Sequence, residues 1–108
     1  MNRTPSERLD IALTHLTVID SHLARGGMDD ALIFDAVCQR LAAAIEELSG
    51  LGHERLTREL GPEWSAMKAT RNVIAHNYQH VSEGVILATV ERDLPDMAAA
   101  IRVLRDSL

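Results

Sequence analysis

The sequence predicts an all-α domain: an antiparallel bundle of four to five helices, with residues 1–108 forming a single unit. Three observations lead there. Aromatic residues make up 3% of the chain while apolar residues make up 46%, so the core must come from Leu, Ile, Val, Ala and Met. Those side chains suit close helix packing better than a pleated sheet. Apolar residues recur at intervals of three and four along most of the chain. Between these stripes, glycine and proline mark short connections, the pattern of antiparallel neighbours in a bundle.

The first helix opens at Thr4-Pro5-Ser6-Glu7. Thr4 can cap it and Glu7 can answer three residues later, a capping box, with Pro5 at the first helical position. Leu9, Leu13, Leu16 and Leu23 follow on one face, and Gly26-Gly27 ends the helix. Asp29 or Asp30 caps the second helix, whose stripe runs through Leu32 or Ile33, then Val37, Leu41, Ala44 with Ile45, and Leu48. Gly50 and Gly52 break it. His53 to Leu60 forms a short helical piece, stopped by Gly61-Pro62. The next helix starts near Pro62, carries Trp64 and Met67 as core residues, and ends between Asn77 and His80. Ser82 caps the last helix. Its stripe, Ile86, Val90, Leu94, Met97, Ile101, Leu104 and Leu108, continues across Pro95. A proline inside a helix removes one hydrogen bond and clashes with the preceding turn, so this helix is expected to be kinked at Pro95 yet packed along its length.

Net charge is −5, which argues against a protein that coats nucleic acid non-specifically, though not against a small local basic site. One cysteine, Cys38, excludes an internal disulfide framework and points to a reducing compartment; in the core stripe it reads as a buried, inert thiol. No signal peptide is evident after Met1, and no run approaches a membrane span. The expected location is cytoplasmic.

The stretch Arg71-Asn72-Val73-Ile74-Ala75-His76-Asn77-Tyr78 is not accounted for by scaffold building. It sets a guanidinium, a carboxamide, an imidazole and a phenol around a short apolar run. On a straight helix Arg71 and His76 are ~140° apart, whereas Asn72 and His76 share a face. The two reactive groups therefore straddle the helix unless it unwinds or a second chain closes the site. RNA cleavage without a metal suits such a groove. His76 would move protons to and from the 2′-hydroxyl and the 5′-oxygen, Arg71 would hold the phosphate, and Asn72 would support either. Spacing alone favours the plainer alternative, a surface helix whose Arg and His pair with acids or water, because short patterns match often.

Other residues are weaker candidates. His76 and His80 stand four apart but have no acid between them and no evident third ligand, so no metal site is expected. His15 and His22 read as solvated or interface residues. Glu46 and Glu47 end the second stripe. Glu46 reads as a solvated charge, while Glu47 could orient Arg71 or His76. With one Trp, one Tyr and one Phe, the aromatic platform of single-strand RNA binders is missing.

The stretch from Arg71 to Tyr78 resembles the R-x4-H-x-Y motif of the HEPN superfamily, in its HepT-like toxin branch. Trp64 before the motif, Asp93-Leu94-Pro95 after it and the order of helices resemble that branch too, so the likeness covers most of the chain. It implies a HEPN-like all-α homodimer and a metal-independent endoribonuclease needing no cofactor. Arg71 and His76 would be catalytic in a cleft at the dimer interface, with Asn72 supporting and Glu47 the nearest match to a paired acid. It further implies a HEPN–MNT (type VII) toxin–antitoxin pair, in which an MNT-type nucleotidyltransferase antitoxin transfers AMP to the motif tyrosine, here Tyr78. The substrate would be RNA, tRNA or mRNA, cut to leave a 2′,3′-cyclic phosphate. HEPN domains also serve as non-catalytic helper subunits of nucleotidyltransferases, which is the alternative expectation; a purely structural helical dimer is a third. Departures from the pattern are the short glycine-containing link from Gly50 to Gly61 and the acidic net charge.

Overall fold

Four helices of 13–19 residues and two short ones carry the chain in a computed structural model that describes residues 3–108. They are α1 (Pro5–Leu23), α2 (Ala31–Ser49), α3 (His53–Leu60), α4 (Glu63–His76), α5 (Glu83–Ala88) and α6 (Leu94–Asp106). A 3-10 turn covers Tyr78–His80, and a π turn covers Thr89–Asp93. Among the described residues there is no strand, and no helix is long and apolar enough to cross a membrane.

The helix starts follow from local chemistry. Thr4 accepts from the Glu7 amide, and the Glu7 side chain accepts from the Thr4 amide, each at 3.1 Å. This reciprocal pair satisfies two otherwise orphaned donors, and its backbone hydrogen bond and hydroxyl contact hold Glu7 below the usual carboxylate range. Asp30 caps α2 through the Leu32 amide at 2.9 Å, and Ser82 caps α5 through Val85 at 3.3 Å. Gly52 and Gly61 flank α3 with φ of 96° and 72°. A side chain at either would strain the backbone, so these two glycines give α3 its short span.

Cross-helix pairs define the packing direction. Arg8 meets Glu47 and His15 meets Arg40, so residue numbers rise along α1 as they fall along α2. Glu46–Arg71 with Asp35–Tyr78 runs α2 against α4 in the same sense, and Arg105 reaches back to Asp10 across α1 and α6. The bundle is antiparallel, with α2 packed on both α1 and α4, α6 against α1, and α3 touching α2, α4 and α6.

The expected stripes form the core. Leu9, Leu13, Leu16, Val37, Leu41, Ala44, Ile45 and Leu48 are buried, as are Trp64, Met67 and Cys38. Leu32 is 79% exposed while Ile33 packs on the core, which decides between those two. Leu23 is only partly buried, because α1 ends there and Ala24 caps it before the Gly pair. In the last segment Ile86, Val90, Leu94, Met97, Ile101 and Leu104 are buried; Leu108 is 55% exposed, so the stripe stops one member short of the expectation.

Helical structure persists through Pro95, and the π turn explains how. The Leu94 amide bonds the Thr89 carbonyl, five residues back. That inserts one extra residue into the turn immediately before the proline, where the ring would otherwise crowd the Glu91 carbonyl. The distortion lies in the turn ahead of Pro95, as a π turn rather than an open break.

The α1–α2 pair is locked at one end by charge. Glu47, with a side chain only 11% exposed, accepts from Arg3 at 3.2 Å and Arg8 at 3.3 Å. Arg8 also donates to the Glu47 carbonyl at 3.2 Å, which takes the Gly50 amide as well, in the last turn of α2 where helical partners run out. Breaking the inner pair leaves the nearly buried carboxylate with only the more exposed Arg3. Arg8→Ala is therefore expected to lower stability by about 1–3 kcal/mol, read as a lower urea midpoint with an unchanged slope.

Candidate active site on the motif helix

The motif occupies the last turn and a half of α4 and the 3-10 turn after it. Helix α4 stays intact to His76, so it does not unwind between Arg71 and His76, and their ~140° separation stands. Asn77, with φ −151° and ψ 50°, leaves the helix, and Tyr78–His80 turn back toward α2.

Arg71 faces α2. Its Nη2 lies 2.8 Å from a Glu46 carboxylate oxygen, and its Nη1 donates to Asn72 Oδ1 at 3.2 Å. The Arg71 side chain is 27% exposed and that of Glu46 61%. A pair this open contributes at most about 1 kcal/mol to stability; what it does is restrict where the guanidinium points. Asn72 is exposed and bonded to Arg71 rather than to the imidazole. His76 is exposed and makes no side-chain hydrogen bond to another described residue.

Glu47, expected as the orienting acid, is one residue out of phase. Its side chain points to α1, where Arg3 and Arg8 hold it. Successive helical residues are ~100° apart, so when Glu47 faces α1 its neighbour Glu46 faces α4. The acid beside Arg71 is Glu46, paired with the guanidinium rather than merely solvated.

Tyr78 is the second contact between the motif and α2. The residue is 40% exposed, but its hydroxyl donates to Asp35 Oδ1 beside the buried Cys38 thiol, and its ring lies 6.3 Å from that of Phe34. Burial, then the hydrogen bond to Asp35 with the added influence of Cys38, pushes the phenol well above the ordinary tyrosine range. Burial likewise pushes the Cys38 thiol up. Asp35 had no signal in the sequence: it lies 43 residues from Tyr78, and only the pairing of α2 with α4 brings them together.

Two further features flank the motif. Lys68, the chain's one lysine, is exposed and stands four residues before Asn72 and eight before His76, on the same face of α4. On another side Ala69, Val73, Val81, Val85 and Ile86 line an apolar groove, with Val73 37% and Val85 55% exposed. His80 leaves the helix axis in the 3-10 turn, so it does not stack over His76 as a helical pair would. Among the described residues no group of three or more His, Cys, Asp or Glu is placed to hold a metal ion. His15 meets Arg40 in the α1–α2 contact at 3.2 Å, and burial followed by that guanidinium lowers its pKa.

The structure is an all-α bundle whose fourth helix and following turn carry the stretch from Arg71 to Tyr78. Comparison with known families agrees: the family model described as ribonuclease HepT-like matches residues 12–104. The chain belongs to the HepT-like ribonuclease family. No curated protein and no solved structure matches it.

Tyr78 is the only tyrosine, so its ionisation can be followed by phenolate absorbance without interference from another tyrosine. Folding holds its proton more tightly. The associated stability is thus fully present below the ordinary tyrosine pKa of about 10 and is lost as pH rises through the higher folded value. Phenolate is expected to appear at higher pH than in the denatured chain.

Proposed function

We propose that this chain is a metal-independent endoribonuclease toxin that works as a homodimer and is silenced by an MNT-type nucleotidyltransferase. The observation that carries the proposal is the division of labour around α4: Arg71 is held in orientation by Glu46 and Asn72, while His76 stands exposed with both ring nitrogens uncommitted. Membership of a ribonuclease family supplies the substrate class, RNA.

In the proposed reaction His76 takes the proton of the ribose 2′-hydroxyl as its oxygen attacks phosphorus. The bond from phosphorus to the 5′-oxygen breaks, that oxygen is protonated by an imidazole, and a 2′,3′-cyclic phosphate remains. Arg71 stabilises the charge gathering on the non-bridging oxygens. One copy separates Arg71 and His76 around the helix, so the cleft is completed by a second copy. The apolar groove beside Val73 and Val85 supports a dimer contact next to the motif. Lys68, on the His76 face, fits a neighbouring phosphate of the strand. Nucleotide transfer to Tyr78, with AMP from ATP, would set a bulky anion two residues from His76 and repel RNA.

Cleavage of RNA by the purified chain is expected in excess EDTA. His76→Ala should reduce it by about 10²–10⁴-fold with the fold retained. Cleavage that needs a divalent ion, or that survives this change, would refute the mechanism. Expression without a partner separates a toxin from a non-catalytic helper subunit, which should be harmless.

Glu46→Ala tests the orienting pair. It should lower kcat/KM by about ten- to hundredfold while leaving stability within about 1 kcal/mol. Unchanged kinetics would remove Glu46 from the site.

A further inference from the structure

Asp35 lies on α2, outside the motif, yet it accepts the hydrogen bond of the one tyrosine in the chain. We infer that Asp35 is the proton acceptor that activates Tyr78 Oη as a nucleophile toward an electrophilic phosphorus. This rests on the reading that Tyr78 receives a nucleotide, and it assigns a residue to that step.

The geometry provides each requirement. A phenol is a poor nucleophile while it keeps its proton, and a carboxylate already bonded to that proton can take it as the new bond forms. Tyr78 is held by its ring against Phe34 and by its hydroxyl against Asp35, and the residue is 40% exposed. The shift of the phenol above its ordinary range leaves little phenolate at neutral pH, so attack without a base would be slow. In the transfer Tyr78 Oη bonds the α-phosphorus of a nucleoside triphosphate, the bond from that phosphorus to the bridging oxygen breaks, pyrophosphate leaves, and the phenolic proton passes to Asp35.

The product cannot remake the contact. It has no phenolic proton to donate, and once Asp35 has released its own proton an anionic phosphodiester faces a carboxylate. The 3-10 turn after His76 thereby loses its polar attachment to α2, so modification both blocks the face of α4 and releases the end of the motif.

O-acetylation by N-acetylimidazole tests the activation without any partner. The phenolic oxygen attacks the acetyl carbon, the bond to imidazole breaks, and the proton must leave the phenol. The Tyr78 ester is distinguished from acetylated amines by its loss in hydroxylamine. If Asp35 is the acceptor, Asp35→Asn and Asp35→Ala slow ester formation at neutral pH by about tenfold or more, with thermal midpoints confirming that both variants fold, and Asp35→Glu restores part of the rate. If Asp35 only restrains the hydroxyl, removing it frees the phenol, and ester forms equally fast or faster; that result overturns the inference. A second arm uses an MNT-type nucleotidyltransferase with ATP and reads added AMP by intact mass. No AMP on the unaltered chain refutes the nucleotide-transfer reading itself, whereas AMP added equally fast to Asp35→Asn refutes only the role of Asp35.

Discussion

The simultaneous packing of α2 against α1 and α4 is the constraint on which the rest of the molecule depends. One face of α2 carries Val37, Leu41, Ala44, Ile45 and Leu48 into the core. Its flanks carry charge in two directions. Glu47 reaches α1, and Asp35 and Glu46 reach α4. The polar contacts that reach the motif from another helix, Glu46–Arg71 and Asp35–Tyr78, both come from α2, and that helix is placed by apolar burial. The polar contacts alone would be too weak: exposed ion pairs contribute about 1 kcal/mol at most, whereas each fully buried Leu or Ile contributes about 1.5–3.

This arrangement gives an acidic chain one helix face that carries cationic and polar groups. The net charge is −5, and some of the acids pair with nearby arginines or cap helix starts, Asp10, Glu46, Glu47 and Asp30 among them. The exposed face of α4, by contrast, shows Lys68, Asn72 and His76 and no acid in that row. Steering of a polyanion depends on where charge lies rather than on its sum. Glu46 beside Arg71 has a double effect. It restricts where the guanidinium points and offsets part of its charge.

The proline of the last helix shows how packing overrides local preference. Pro95 removes a hydrogen bond in the middle of a long apolar stripe, a cost of roughly 3 kcal/mol in an isolated helix. Burial of Ile86, Val90, Leu94, Met97, Ile101 and Leu104 on one side outweighs it. The chain keeps the stripe facing the core and absorbs the misfit as one π turn at Thr89–Asp93. A break would have turned one half of the stripe toward solvent.

The sequence by itself determined the helix content, the capping box at Thr4, the cap at Ser82, most of the core stripes and the motif with its family. These are short-range features, set by spacing along the chain and by side chains acting on their own backbone. Only the tertiary structure decided which acid meets Arg71, what holds Tyr78 and whether Arg71 and His76 meet in one copy. The choice between Glu46 and Glu47 turns on ~100° of helix rotation, which an apolar stripe specifies only coarsely. The Asp35–Tyr78 contact joins residues 43 apart, and no local pattern encodes it. It exists because α2 and α4 lie side by side in antiparallel register.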